Sequence, residues 1–146
     1  MKIAGTYTLP FEQEKAYRSL QDPALLAKCM PGVESLEQVG DAQYAMKMKM
    51  VMATVSGSFD GKVTVADPHP FTEFRLIVEG SGKIGFMKGD GRLHLKPAGD
   101  GTEVAYEGDV NVGGTIAAVG QRLIDTTAKM IIKKFFEKLV KEVQAA

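Results

Sequence analysis

With 146 residues and a formal net charge of zero, the chain is long enough to close a hydrophobic core without metals or cross-links, and it offers nucleic acid no excess of positive charge. One cysteine, Cys29, excludes an internal disulfide framework. No apolar run approaches the roughly 18 residues of a membrane span and nothing at Met1 resembles a secretory signal, so the expected setting is the cytoplasm.

Residues 2–9 predict a first strand, and Pro10 suits the opening turn of a short helix carrying Ala16, Tyr17 and Leu20. Asp22 and Pro23 then supply an N-cap and first helical position for a second short helix, which Pro31 and Gly32 end. The two form a clasp that can lie across one end of a sheet. From 32 to 112 the pattern changes to glycine-broken strands. Met46, Met48 and Met50 alternate with Lys47 and Lys49, the period-two signature of a strand with one buried and one wet face. A tight connection at 51–53 leads to a strand with Val55, Gly57, Phe59, Gly61, Val63 and Val65 on one face; Thr54, Ser56, Ser58, Asp60, Lys62 and Thr64 fall on the other. A turn at 67–70 precedes a strand with Phe74, Leu76 and Val78 inward, against Arg75 and Glu79. The last hairpin turns through 97–101 and pairs Lys96 with Glu103 and Arg92 with Glu107, contacts that fix register more than they stabilise.

Residues 114–143 read as one continuous helix, free of proline, with Gly113 and Gly114 as the break before it. At about 1.5 Å per residue it would run about 45 Å. Its apolar stripe drifts: Ile116, Val119, Leu123, Ile124, Met130 and Ile131 define one face, whereas Phe135, Phe136, Leu139, Val140 and Val143 centre roughly a quarter turn away. The first half is expected to wall a cavity, the second to pack on the sheet end or project an amphipathic tip. The helix is also basic, with Arg122, Lys129, Lys133, Lys134, Lys138 and Lys141 against Asp125, Glu137 and Glu142. One strand, two short helices, about six strands and a long helix make an α+β helix-grip architecture. A single domain over 1–146 is expected, its curved antiparallel sheet of about seven strands holding the C-terminal helix.

Chemical motifs are few. GSGKIG at 80–85 matches the dinucleotide pattern GxGxxG, but another glycine-broken strand follows where that motif needs a helix N-terminus to receive a pyrophosphate. A Walker loop fails because Ile84 follows Lys83. His69 and His94 are the only histidines, in no metal-ligand spacing, and are expected at the surface. Neither Cys29 nor Ser56, Ser58 or Ser81 stands in a nucleophile context. The positive signal is methionine: Met46, Met48 and Met50, with Met52, Met87 and Met130 elsewhere, give a deformable, polarizable lining suited to a flat or chain-like apolar ligand. Its contacts are expected among Met46, Met48, Met50, Phe59, Phe74, Leu76, Phe86, Leu93, Leu123 and Ile124. Phe59, between Gly57 and Gly61, is expected to lie flat on the ligand or the helix.

The segments DPALLAKCMPGV (22–33), GSFDGKV (57–63), FMKGDG (86–91) and GGTIAAVGQRLI (113–124), with Phe135 and Phe136 after them, together resemble the carbon monoxide dehydrogenase CoxG family of the START-like, or SRPBCC, superfamily. The resemblance runs through nearly the whole chain. It implies a small accessory protein of molybdenum hydroxylases of the carbon monoxide dehydrogenase type, one that assists membrane recruitment or carries a quinone in its apolar pocket. It supplies no catalytic motif, no covalent cofactor and no metal. Many members carry a further C-terminal linker and membrane-binding tail, a pattern these 146 residues do not contain; any membrane contact is therefore expected to be weak and peripheral, at the inner face. Two other readings stand beside carriage of an apolar molecule: a docking factor for the same enzyme with an incidental pocket, and an enzyme of the cyclase or dehydratase kind found elsewhere in the superfamily. Convergent buried polar groups would favour the last.

Overall fold

The computed structural model describes residues 1–52 and 55–145, with the backbone alone at Met52. Ala53, Thr54 and the Met52 side chain, part of the expected connection and strand face, lie outside the described residues. Strand β1 (Lys2–Leu9) is followed by α1 (Gln13–Ser19) and α2 (Pro23–Cys29). Six strands come next: β2 (Val33–Gly40), β3 (Gln43–Met52), β4 (Val55–His69), β5 (Glu73–Gly82), β6 (Gly85–Ala98) and β7 (Gly101–Gly113). A 3₁₀ turn (Thr115–Val119) leads into α3 (Gln121–Ala145). All seven strands form one antiparallel sheet in the order β1-β7-β6-β5-β4-β3-β2. The two short helices therefore run between strands that are the opposite edges of the sheet, and they span it as the clasp requires. Asp22 caps α2 as its position predicts, its carboxylate accepting from Ala24 N at 2.9 Å.

The glycine-rich 80–85 segment is a hairpin, with Gly82 paired to Gly85 across Lys83 and Ile84. No helix follows it, so it is no dinucleotide cradle. Two other connections differ from their expected places. Strand β4 continues through His69, with an irregularity after Ala66, and the chain reverses at 70–72. Gln13 donates to the Phe71 carbonyl at 2.5 Å, and the Phe71 ring packs edge-on to Tyr17 with centroids 5.7 Å apart. These contacts, not the proline at 68, decide where the turn sits. The last hairpin is tighter than expected, because β6 and β7 extend to Ala98 and Gly101. Its register is as expected: Lys96 faces Glu103, with an ion pair at 3.5 Å, and Arg92 faces Glu107.

The C-terminal stretch is not one helix. Gly120, at φ 98° and ψ 148°, separates the 3₁₀ turn from α3, and Gly114 at φ 83° and ψ −157° opens that turn. Both lie in backbone territory that only glycine enters readily. Helix α3 itself, of 25 residues, runs about 37 Å.

Apolar side chains collect into two cores. The first joins Leu9, Phe11, Tyr17, Leu20 and Cys29 with Phe136, Leu139 and Val143 of α3's second half. The second joins Tyr44, Met46, Met48, Met50, Phe59 and Val63 with Ile116, and Leu123, Ile124 and Ile131 pack against it. The quarter-turn drift of the stripe thus has a physical meaning: the two halves of the C-terminal segment serve different cores. Phe136 stacks on Tyr7 at 4.7 Å between ring centroids. Of the two roles open to the second half, it packs on the sheet end. Met130, expected on the first face, is 46% exposed, one helical step away from the inward Ile131.

Candidate functional site

Between the concave face of the sheet and α3 lies a cavity of about 310 Å³, partly open to solvent. That volume is at the lower end of the range for small-molecule sites. Met46, Met48 and Met50 supply one wall from β3, joined by Phe74, Leu76 and Val78 of β5. Ile124, Ala128 and Ile131 of α3 border it too, with Ile116 of the 3₁₀ turn, Leu26 of α2 and Met30 just after that helix. Methionine at three alternate positions of one strand needs no special backbone; each sulfur-bearing chain simply follows the pleat inward.

Part of the boundary carries no side chains. Gly89 and Gly91 of β6, and Gly108 of β7, fall on the inward parity of their strands, so main chain borders the cavity directly. A Cβ built at Gly89 would meet only Val110 Cγ2, at 4.0 Å. The space over this glycine is empty. The same alternation sends the side chains of Asp90, Arg92, Glu107 and Asp109 to the outer face. There Arg75 Nε donates to Asp90 Oδ1 at 2.8 Å, and this hydrogen bond holds the Asp90 carboxyl below its usual pKa and raises that of Arg75. Two polar side chains remain at the cavity among the described residues, Tyr106 and Thr127. Tyr106 lies against Phe136, ring centroids 6.0 Å apart. Thr127 is 8% exposed.

Seven of the ten expected contacts border the cavity: Met46, Met48, Met50, Phe74, Leu76, Leu93 and Ile124. Phe59, Phe86 and Leu123 do not. Phe59 is 1% exposed, sealed in the second core, and its flanking glycines leave no room for a ligand. A Cβ at Gly57 would press on Ile84, and one at Gly61 would collide with the Glu79 carbonyl of β5. Phe86 is 53% exposed because it has the opposite parity to Leu93 on β6; Met87 takes the inward place. Leu123 packs on the second core beside Ile124, one residue off the cavity.

Sequence reasoning missed the bare glycine surface and Thr127. Both had a signal. Gly89, Gly91 and Leu93 share one parity, and Thr127 interrupts the apolar spacing of Ile124, Ala128 and Ile131. Elsewhere, Cys29 is buried, and that burial, with Glu142 adding to it, pushes its thiol pKa up; it is a packing residue. His69 and His94 are exposed on the outer face as expected, both beside Glu73, at 3.7 and 3.1 Å. Among the described residues no group of three or more histidine, cysteine or carboxylate side chains is placed to hold a metal, and no helix is long and apolar enough to cross a membrane.

The sequence model of the carbon monoxide dehydrogenase CoxG family matches residues 5–144. Among solved structures, a conserved protein from Geobacillus kaustophilus is 34% identical, with a TM-score of 0.94 over 99% of this chain and 96% of that one. A START superfamily protein from Mycobacterium smegmatis superposes with a TM-score of 0.76 at 16% identity, covering 99% and 97% of the two chains. Ara h 8.0201 does so at 0.71 and 15%, covering 100% and 99%. The last two establish the START-like fold alone. No curated protein sequence matches.

Proposed function

Because this chain belongs to the carbon monoxide dehydrogenase CoxG family, we propose that it is a non-catalytic binder of an apolar, quinone- or lipid-like molecule, acting as an accessory to a molybdenum hydroxylase of the carbon monoxide dehydrogenase type. The observation that carries this reading is the cavity itself. Its walls are methionine, aliphatic and aromatic side chains, and two hydroxyls are its polar side chains among the described residues. Cyclisation, dehydration or hydrolysis would call for positioned acid–base pairs or a nucleophile with its base. An apolar wall with few polar groups suits holding a molecule better than transforming it.

Native mass spectrometry of protein purified without detergent tests the reading. A retained apolar mass, or saturable binding of a short-chain quinone by the emptied protein, is the expected result; neither being observed would overturn it. The docking reading has one observation in its favour. Lys133, Lys134, Lys138 and Lys141 are exposed along α3, and none enters an ion pair among the described residues. Such a row can meet an acidic partner or an anionic membrane, and recruitment and carriage are compatible roles for one protein.

A further inference from the structure

We propose that Thr127 is the polar anchor of the cavity, and that the molecule it holds is uncharged and turns an oxygen acceptor, such as a ring carbonyl, toward its hydroxyl. This deepens the reading of the cavity as a binding site and rests on it. Thr126 and Thr127 are adjacent in α3, yet they behave differently. Thr126 donates to the Arg122 carbonyl at 3.0 Å, the usual local bond of a helical threonine. Thr127 makes no side-chain hydrogen bond among the described residues, although it is more than nine-tenths buried. No fully enclosed side-chain oxygen there lacks a partner, so the Thr127 oxygen must keep contact with open space. At this position that space is the cavity.

A hydroxyl that opens only onto the cavity and has no protein partner is free to bond whatever occupies the site, and would be left unsatisfied by an occupant that offers it no acceptor. The other cavity hydroxyl is placed differently. Tyr106 sets its oxygen over Gly5 of the edge strand β1, where a Cβ would collide with it. The charge of the ligand follows from what surrounds it. Among the described residues Arg92 is the one cationic residue at the boundary, and its side chain belongs to the outer face. A carboxylate or phosphate brought between Thr127, Ile124 and Ile131 would leave water and gain no cationic partner. A neutral carbonyl loses far less and gains the hydroxyl's proton in a hydrogen bond.

Equilibrium dialysis with three probes tests this: duroquinone, its oxygen-free counterpart 1,2,4,5-tetramethylbenzene, and palmitate. Thr127→Val keeps the branched shape and removes the hydroxyl; Thr127→Ser keeps the hydroxyl, and thermal melts verify that both variants fold. The expected result is that Thr127→Val weakens duroquinone about three- to tenfold, leaves the hydrocarbon unchanged, and is reversed in Thr127→Ser. Palmitate should bind the wild-type protein more weakly than duroquinone does. Equal duroquinone affinity for the valine variant and the wild type, or palmitate binding as tightly as duroquinone, overturns the assignment while the cavity remains a binding site. Failure of all three probes to bind the wild type removes the binding reading, and the anchor with it.

Discussion

Gly61 and Gly89 differ in what stands over them, and the difference predicts opposite consequences for the same kind of change. At Gly61 a Cβ runs into the backbone of β5, which cannot step aside without breaking its ladder. Gly61→Ala should therefore cost about 1 to 3 kcal/mol in urea denaturation. At Gly89 a side chain would enter empty space. Gly89→Leu should hold the melting temperature yet weaken an apolar probe at least about tenfold; unaltered binding would show that the ligand sits elsewhere. The outer face gives a pH prediction. Asp90 is held below its usual pKa by Arg75, so its contribution is full above the ordinary aspartate range near pH 4 and is lost as pH falls through the lowered folded value. Denaturation from pH 6 down to pH 3 should lose part of its acid-side slope in Asp90→Asn, with little change near pH 7. An unchanged slope would mean that the pair does not form in solution. At this level the sequence was legible wherever parity could be counted: the methionines of β3 and Leu93 of β6 fall where alternation puts them. Phe86 was misplaced because its size outweighed its parity, and Phe59 was set against the ligand because the close approach of β5 over its neighbour Gly61 has no local signature.

Among the elements, α3 was the easiest to see and the hardest to bound. Its apolar spacing marks a long helix, but TIAAVG ends on one residue, Gly120, whose backbone is not helical at all. What fixes the break is tertiary: Ile116 donates its amide to the Ile84 carbonyl at 2.7 Å and its side chain fills the second core. Gly120 must then turn the chain back into α3. Gly120→Ala should cost about 1 to 3 kcal/mol by denaturant titration, since an L residue is strained at this φ and ψ whatever the space around it. A neutral outcome would mean that the turn and α3 merge into the single helix suggested by the sequence. The strands were legible because period two repeats on each of them, and hairpins joining neighbours leave few ways to order a meander. Turn positions were less so, since Gln13, some 58 residues away in sequence, helps to place Phe71.

The fold as assembled has two cores with a cavity at their seam, and Leu76 packs against both. Stability and binding are accordingly separable: much of the apolar burial that holds the molecule together lies outside the cavity wall. The basic row of α3 is likewise separable from the apolar stripe beneath it. Phe136, Leu139 and Val143 are spent in the first core, so the helix has little apolar surface left with which to enter a bilayer. Sedimentation with anionic vesicles should show binding at low salt that disappears near 1 M, where screening acts within about 3 Å, and that weakens in Lys133→Glu/Lys134→Glu. Salt-resistant binding would require an inserted apolar element that this arrangement does not provide. The architecture was legible from element order, and with it the presence of a cavity and most of its β3 and β5 wall; its bare glycine patch and its size were not, because emptiness depends on curvature and on which side chains stop short.

The 3₁₀ turn between Gly114 and Gly120 has a bearing on time rather than affinity. It is a part of the cavity wall that belongs to no strand ladder and no long helix, and it is strung between two glycines, Gly114 and Gly120. Swinging it outward breaks the Ile116–Ile84 hydrogen bond and draws the buried Ile116 side chain from the second core, but leaves the sheet whole. Entry and departure of a bound molecule can then proceed through a local opening, far faster than unfolding allows. Amide exchange at 115–119 should exceed that of the neighbouring strands and slow on saturation with an apolar probe; uniform protection across these elements would place the doorway elsewhere. On the binding reading proposed above, such a doorway would let the site exchange its occupant while the sheet stays folded.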